Sequence, residues 1–413
     1  MARTLTTRDA YALINAVAHE ALGANATIQA VDSSTFVSVG EAIIASGMEN
    51  TLNALGLVLG RTMVAVRPYK ARFALINSIG SGAYANRIRK ISYYTKDALP
   101  TGADNTQLYT NFAAGYDNGT NSAASTASMW EQNPPVPLEL NFGGSSEWQY
   151  CITIYEHQLK VAFSSESEFI TFMNGVMTAA ANDIEIEKQA FSQVTLLNFM
   201  AGLYNLNSYN GSVINLTSEF NTKFGTSYTA AQLRSTYLTE FLEFFTARVK
   251  ELSDQFENAD TRFHCEPAVT GHYMARHTPK SKQRMFLLSE FVREAESYVF
   301  PQIFNPEYLK IENFEKVLYW QNPNAPASIK VTPAIPDLNS SSATYKTQIA
   351  GSQVTQTNVI GLLFDEDALM VDFQLDDVRS TPVEARKAYR NLWHTIRKNA
   401  INDFSEKAVL FIM

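Results

Sequence analysis

The chain has 413 residues, of which 46% are hydrophobic and 18% charged, a composition typical of packed globular proteins that excludes a mainly disordered one. Its formal net charge of −8 disfavours a protein that coats nucleic acid through clustered lysines and arginines. Two cysteines cannot form a disulfide framework, the polar start lacks a secretory signal, and no apolar run is long enough to span a membrane as a helix. We therefore expect a soluble protein that is stabilised by burial of its apolar residues.

Residues 1–60 are predicted to form an amino-terminal arm with two helices. Apolar residues recur at helical spacing over residues 7–22, and Gly23 follows at a position that suits a helix end. A second helix is expected from about Glu41 to Leu59. The segment AVDSSTFVSVG between them is rich in Ser, Thr and Gly, which predicts an extended connector.

Residues 61–150 differ from the rest of the chain in charge and in pattern. Eight lysines or arginines and no acidic residue lie between Arg61 and Lys96. The segments RFALI and RIRKISYY flank INSIGSGAYAN, whose Gly and Asn suit a turn, so the pattern predicts a long two-stranded excursion. A long polar stretch then leads to the strand candidates LELNF and WQYCITIYEH. Because such long loops are uncommon in compact domains, we expect this region to reach outward to a partner.

The strongest helical signal runs from Ser165 to about Ala201. Ser165 and Glu168 fit a capping box, apolar residues then mark one face, and Gly202 is expected to end the helix. A helix of roughly 35 residues is about 50 Å long, which suits a flat or extended subunit better than a small globule. We expect residues 151–202 to form a lobe around this helix.

The remaining residues are predicted to form a second lobe and a returning tail. Residues 203–359 have mixed patterns, with helices expected near residues 230–256 and 282–298. Residues 360–413 begin and end with strand-like apolar runs, which predicts strands that dock against the rest of the fold. Separate helical and strand-rich segments place the chain in the α+β class.

One short pattern suggests a nucleotide site. Gly80, Gly82 and Ala85 spell GxGxxA, which lets a helix amino terminus approach a pyrophosphate. The following NRIRKISYY has no helical apolar face, so a turn is the preferred interpretation.

A second cluster has the residue types of a zinc site. Three imidazoles and one thiol lie within fourteen residues: His264, Cys265, His272 and His277. Their spacing matches no known ligand set, so ordinary loop and core residues are the preferred interpretation. Because no catalytic motif is recognisable either, we predict no metal, no cofactor and no enzymatic activity.

The charge pattern suggests contacts between copies of the protein. Cations of the loop would face acidic side chains on the long helix of a neighbouring copy, with charge setting the register and apolar burial giving most of the affinity. The cationic candidates are Arg67, Lys70, Arg72, Arg87, Arg89 and Lys90. The acidic candidates are Glu166, Glu168, Asp183, Glu185 and Glu187. The alternative is a solvated hairpin without a partner.

The order of these parts resembles the major capsid (coat) proteins of tailed double-stranded DNA bacteriophages, in particular those of small short-tailed phages, whose fold is shared with herpesvirus major capsid proteins. The phrases that carry the resemblance are FVSVGEAIIASGMENTLNALGLVLGRTM, ARFALINSIGSG, SEFITFMNGVMTAAANDIEIEKQAF, LLFDEDALMVDF and KAVLFI. It implies the tailed-phage capsid fold, with an extended β-hairpin loop (61–150), a spine helix in a peripheral domain (151–202), an axial domain (203–359) and peripheral carboxy-terminal strands (360–413).

The resemblance also implies a structural, non-enzymatic role. Many copies would assemble into hexamers and pentamers of an icosahedral shell, which encloses packaged double-stranded DNA without sequence-specific binding. A separate scaffolding protein and a portal protein are the other implied partners, and no membrane is involved. The implied location is the virion capsid, assembled in the host bacterial cytoplasm. The alternatives are another virion component, such as a portal or tail protein, and a nucleotide-dependent enzyme.

Overall fold

The computed structural model describes most of the chain outside the region predicted as an extended loop. The described residues are 7–23, 29–47, 50, 51, 54, 73, 76–78, 87–94, 136–143, 146–265, 275–298, 314–339, 348–384 and 386–413. The helices are α1 (Thr7–Leu22), α2 (Ser33–Ala45), α3 (Glu156–Ala162), α4 (Glu166–Asn210), α5 (Leu216–Phe224), α6 (Ala230–Leu233), α7 (Leu238–Glu257) and α8 (Ser289–Tyr298). None of these described helices combines the length and apolar character of a membrane span.

The strands build two main sheets. The strands are β1 (Asn77–Ser78), β2 (Arg87–Tyr94), β3 (Val136–Gly143), β4 (Ser146–Tyr155), β5 (Val213–Asn215), β6 (Gln283–Leu288), β7 (Phe314–Val317), β8 (Ile329–Val331), β9 (Ala334–Pro336), β10 (Gln348–Ala350), β11 (Val354–Gln356), β12 (Val359–Asp365), β13 (Leu369–Ser380), β14 (Tyr389–Asn402) and β15 (Ala408–Ile412). One sheet has the order β1-β13-β14-β4 and the other β5-β15-β12-β6-β7, and three two-stranded pairs, β2-β3, β8-β11 and β9-β10, complete the set. Helices packed beside mixed and antiparallel sheets confirm the α+β class.

The helix α4 connects the two sheets and is the spine of the molecule. Its 45 residues extend over about 67 Å, and it contacts β13 and β14 of one sheet and β5 and β15 of the other. Ser165 Oγ accepts a hydrogen bond from the backbone N–H of Glu168 at 3.3 Å, as expected of a residue that caps the helix start. We name the two parts that it joins by their sheets, the four-strand lobe and the five-strand lobe.

The spine helix ends later than its sequence predicts. Gly202 lies inside the helix, which continues to Gly211, a residue with the left-handed φ of 64° that ends many helices. A Cβ atom at Gly202 would lie 2.3 Å from Cζ of Phe404. Glycine is therefore required there by close packing against the carboxy-terminal turn, and the prediction that it ends the helix was wrong.

The five-strand lobe has a core that its own elements enclose. Every residue of β12 and β15 is buried, and α7 buries Phe241, Phe245 and Leu252 in the same core. The buried Trp320 indole donates a hydrogen bond of 2.8 Å to the Val359 carbonyl. At Gly361 the neighbouring strand is so near that a Cβ atom would lie 2.7 Å from the Phe286 carbonyl oxygen.

In the four-strand lobe, α1 and α2 pack on the first half of the spine helix. Ile14, Val17, Phe36 and Phe169 are fully buried in their shared core. α1 has the predicted bounds, whereas α2 begins within the segment predicted as an extended connector. Asp32 explains this difference, because its carboxylate accepts the Thr35 N–H at 2.8 Å while Thr35 Oγ accepts the Asp32 N–H at 3.0 Å, which closes a capping box.

Of the two strands predicted for the excursion, only the second is observed as predicted, and it pairs with a different segment from the one expected. RIRKISYY forms β2, but β2 pairs with β3, from Arg87 opposite Gly143 to Tyr94 opposite Val136. In the segment RFALI, Phe73 and Ile76 are buried in the core of the five-strand lobe instead. Alternating apolar residues specify a strand but not its partner, so the local turn signal was misleading. The pairing still makes a two-stranded ribbon at the base of the predicted extended loop.

One predicted helix is partly a strand, and the carboxy-terminal strands divide between the two sheets. Residues 282–298, predicted as one helix, form strand β6 and then helix α8, because QRMFLL is buried between β12 and β7. Residues 360–413 form strands, with β13 and β14 in the four-stranded sheet and β12 and β15 in the five-stranded sheet. The predicted boundary at residue 360 runs through β12.

Candidate assembly surfaces

The acidic side chains predicted for inter-subunit contact all lie on the first half of the spine helix, but they do not share one environment. Glu168 and Asp183 are exposed, Glu166 and Glu187 are half-buried, and Glu185 is buried beside Lys188, which donates to it at 2.9 Å. The helix therefore presents Glu168 and Asp183 most openly, and Glu185 is the least accessible to a partner.

Two of these carboxylates hold tyrosines of the same chain. Glu166 accepts a hydrogen bond from the Tyr11 hydroxyl, and this bond raises the pKa of Tyr11 to about 12. Asp183 accepts one from the Tyr150 hydroxyl, which raises the pKa of Tyr150 to about 12. The acidic helix thus also fixes the amino-terminal helix and strand β4 in place.

Lys398 forms a buried cation between the spine helix and the four-stranded sheet. Its side chain is 1% exposed, its ammonium pairs with Glu187, and it lies 3.5 Å from the centre of the Trp148 ring. Burial of an ammonium is costly unless it is paired, and the carboxylate and the aromatic face both compensate this cost. The Trp148 ring is nevertheless 50% exposed, so this structure offers a rigid aromatic surface to solvent.

Strand β4, which carries Trp148, is an edge strand of the four-stranded sheet. It has ten residues, and Glu147, Trp148, Gln149 and Thr153 are exposed. An edge strand leaves a row of backbone N–H and C=O groups available to another chain. This edge is a second candidate surface for assembly.

The spine helix itself carries an exposed apolar stripe. Ile186 is 58% exposed and Val194 is 62% exposed, and the exposed Ala190 lies between them at the i, i+4 spacing of one helix face. Apolar groups that cluster on a surface are typical of protein–protein contact sites. The stripe lies beyond Asp183 on the same helix, so charged and apolar groups adjoin.

The predicted cationic residues have different outcomes. Arg67, Lys70 and Arg72 lie outside the described residues, and Arg87 and Arg89 lie in β2 with side chains outside the described set. The Lys90 ammonium pairs with Asp403 and Glu406 of its own chain and donates to Ser405 Oγ at 3.1 Å. The sequence suggested that Lys90 faces a neighbour, but its charge is already used within its own subunit.

The ligand hypotheses gain no support from the described residues. The segment from Gly80 to Ala85 and His272 lie outside them. His264 is buried with Nε2 3.3 Å from the Asp260 carbonyl oxygen, and burial lowers its pKa to about 4. Across the described ranges, no group of three His, Cys, Asp or Glu side chains is arranged to hold a metal ion.

The five-strand lobe has a surface depression of about 650 Å³ beside α5. It is lined by Asn215, Thr217, Ser218, Asn221, Thr222, Thr226, Ala230 and Met413. These side chains are polar or apolar without a titratable group, so the depression offers no side-chain acid or base for catalysis.

Comparison with known proteins places the chain among phage capsid proteins. The sequence model of the Phi29-like phage major capsid protein family matches residues 83–411. No curated protein matches the chain. Among solved structures, the capsid of Staphylococcus phage Andhra is 11% identical with a TM-score of 0.49, and the alignment covers 83% of this chain and 84% of that one. The mature capsid of bacteriophage PhiM1 is 8% identical with a TM-score of 0.43, covering 83% and 87%.

The family match extends over most of the chain, and it is sufficient to assign the family without these structural likenesses. It agrees with the resemblance in sequence and with the α+β architecture of a long helix between two sheets. The chain therefore belongs to the Phi29-like phage major capsid protein family.

Proposed function

We propose that this capsid protein acts as the repeating subunit of an icosahedral shell, in which hexamers and pentamers enclose packaged double-stranded DNA. The single observation that carries the proposal is the exposed surface of the four-strand lobe. Edge strand β4 carries the half-exposed Trp148, and the stripe from Ile186 to Val194 lies near the middle of the spine helix. A subunit that meets several neighbours needs such surfaces, whereas a monomeric protein seldom exposes them together.

In this proposal the basic extended loop of one copy docks on the spine helix of the next. Glu168 and Asp183 are the most exposed of the acidic candidates and would attract the cationic segment. The loop cations proposed for this contact are Arg67, Lys70, Arg72, Arg87 and Arg89. Lys90 is left out, because it is paired within its own chain. Exposed ion pairs contribute about 0 to 1 kcal/mol each, so burial of the apolar stripe would supply most of the affinity.

The other partners follow from the same role. A separate scaffolding protein and a portal protein are proposed, with assembly in the host bacterial cytoplasm. The net charge of −8 favours enclosing DNA without binding it tightly, because a mainly acidic protein repels phosphate. The family consists of structural subunits, and we propose no catalytic activity for this chain.

The docking contact is tested by reversing two of the proposed loop charges, those of Arg87 and Arg89. In the variant Arg87→Glu/Arg89→Glu, Lys90 is unchanged, so the monomer should fold while electron microscopy shows far fewer closed shells. The control is Lys250→Glu/Lys330→Glu, an equal charge change at two exposed lysines outside the loop. A normal yield of shells from the loop variant would refute the docking contact. If the wild-type protein forms only rings of a small fixed number of copies, the proposed closed shell is refuted.

A further inference from the structure

We infer that Lys90 is a positioning residue that anchors the base of the loop to the carboxy-terminal turn of its own subunit. This inference rests on the proposed function, because it concerns the loop that is proposed to dock on a neighbour. Lys90 lies in β2, and its ammonium is held by Asp403, Ser405 and Glu406 of the turn between β14 and β15. We call these three residues the acidic cradle.

The cradle stands at the junction of the two lobes. Strand β14 belongs to the four-stranded sheet and β15 to the five-stranded sheet, so the turn that joins them links both. The turn is held firmly, because the Phe404 ring stacks on Phe199 at 5.1 Å and its carbonyl accepts the Cys265 N–H at 2.7 Å. The Asp403 N–H also donates to the Ala368 carbonyl at 2.8 Å. A cation fixed here is fixed relative to the whole subunit.

The cradle needs a cation. The side chain of Asp403 is 2% exposed and that of Glu406 is 12% exposed, so two carboxylates are largely removed from water. Arg276 is 3.8 Å from Glu406 and belongs to the same network. Burial alone would lower the pKa of Lys90, but attraction by Asp403 and Glu406 outweighs burial and raises it. Withdrawing Lys90 would leave buried carboxylates with less compensating charge, which is unfavourable.

Lys90 and Ile91 are the two side chains of β2 that the structure describes, and Lys90 is the one that ties this strand to the carboxy-terminal turn. β2 pairs with β3, and a two-stranded ribbon is marginal without further packing. The residue after Lys90, Ile91, is 45% exposed, so apolar burial contributes little at this point. A swing of the ribbon would remove Lys90 from the cradle, so the ion cluster selects one direction for the loop. A loop that is oriented before it meets a neighbour loses less freedom on docking.

Charge exchange within the cluster tests the anchor. The variants are Lys90→Glu, Glu406→Lys and the double exchange. Lys330→Glu is the control for Lys90→Glu, because it makes the same charge change at an exposed site. We expect each single reversal to reduce the yield of closed shells about tenfold and the double exchange to recover most of it. Recovery should be incomplete because Arg276 would then face a second cation in place of the Glu406 carboxylate. Thermal unfolding should show that each variant still folds, and Lys90→Gln replaces Lys90→Glu if it does not.

Hydrogen exchange on the unassembled subunit reports the anchor without assembly. In Lys90→Glu and Lys90→Gln, amides of residues 87–94 should exchange about tenfold faster, while those of β12 keep the wild-type rate. Unchanged exchange in 87–94, or a double exchange no better than the single variants, would overturn the inference. Because this measurement needs no shell, it separates failure of the anchor from failure of the proposed docking.

Co-expression distinguishes an anchor within one subunit from a contact between subunits. Chains with only Lys90→Glu are mixed with chains with only Glu406→Lys. If the pair forms within a chain, neither chain is repaired and shells stay scarce. If the pair forms between copies, mixed shells appear and the anchor is refuted.

Discussion

The two lobes of this subunit bury their apolar residues to different extents. In the five-strand lobe, β12 and β15 are buried at every residue, and α7 covers the sheet with phenylalanines. In the four-strand lobe, the edge strand β4 is partly exposed, and the same helix that closes one core presents Ile186 and Val194 to solvent. The first lobe completes its core within one chain, whereas the second keeps apolar surface that a neighbouring copy can cover.

The largest effect on stability should come from a substitution in the core of the five-strand lobe. Phe245 is fully buried, with ring centres of Phe291 and Phe411 at 5.3 and 5.8 Å, so Phe245→Ala should lower the free energy of unfolding by about 3–5 kcal/mol. Denaturant unfolding of the unassembled subunit measures this loss. Phe224 is 53% exposed, and we expect Phe224→Ala to cost less, about 1–2 kcal/mol, because only about half of its side chain is buried. Equal losses would mean that the core around Phe245 is not tightly packed.

Acid should weaken this core through a buried histidine. Burial lowers the pKa of His264 to about 4, so the folded protein keeps the imidazole neutral while the unfolded chain takes up a proton near pH 6.5. Stability should therefore fall as the pH falls from 6.5 to 4, by about 3 kcal/mol over that range. His264→Gln should remove this pH dependence of stability. The control for loss of an imidazole is His157→Gln, because His157 is exposed. The same pH slope in wild type and in His264→Gln would contradict the assignment.

A sequence with strong local signals predicts the elements but not their partners. The bounds of α1 and the start of the spine helix at Ser165 follow from apolar spacing and capping, which are local. The pairing of β2 with β3 encloses a long segment, and nothing near either strand specifies it. Gly202 was misleading for the same reason, because the Phe404 ring that requires a glycine is distant in sequence.

The candidate surfaces also show that the sequence does not reveal which residues become partners. The acidic and basic segments were recognisable by composition, yet Lys90 meets Asp403 and Glu406 more than 300 residues away, at separations of 313 and 316. Glu187, a candidate for contact with a neighbour, pairs with the buried Lys398 of its own chain. Which side of a 45-residue helix faces each lobe depends on the fold, and charge alone does not reveal it.

Substitution of two glycines of the spine helix by alanine should change stability by a smaller amount, with opposite signs in the two lobes. A Cβ atom at Gly202 would collide with Phe404, so Gly202→Ala should destabilise the subunit by about 1–3 kcal/mol. Gly175 lies in the other half of the helix, where a Cβ atom would meet nothing within 4 Å. Alanine favours the helix there, and Gly175→Ala should stabilise the subunit by about 0.5–1 kcal/mol. Thermal melting measures both, and a destabilising Gly175→Ala would show that this half of the helix is also tightly covered.

The smallest effect on folding should accompany a large effect on assembly. Ile186 and Val194 are more than half exposed, so Ile186→Ser/Val194→Ser should change the free energy of unfolding by no more than about 0.5 kcal/mol per site. If a neighbouring copy covers the stripe, the double variant loses that burial, and electron microscopy should show far fewer closed shells at an unchanged melting temperature.

Tyr209 provides the matched control for this stripe. It is 67% exposed on the same helix but lies in the five-strand half, so Tyr209→Ser should leave both folding and shell yield near their wild-type values. If the stripe variant assembles normally, neighbours do not cover that part of the four-strand lobe. If Tyr209→Ser blocks assembly equally, both halves of the spine helix contribute to the contact, and the contrast between a closed lobe and an open one does not hold.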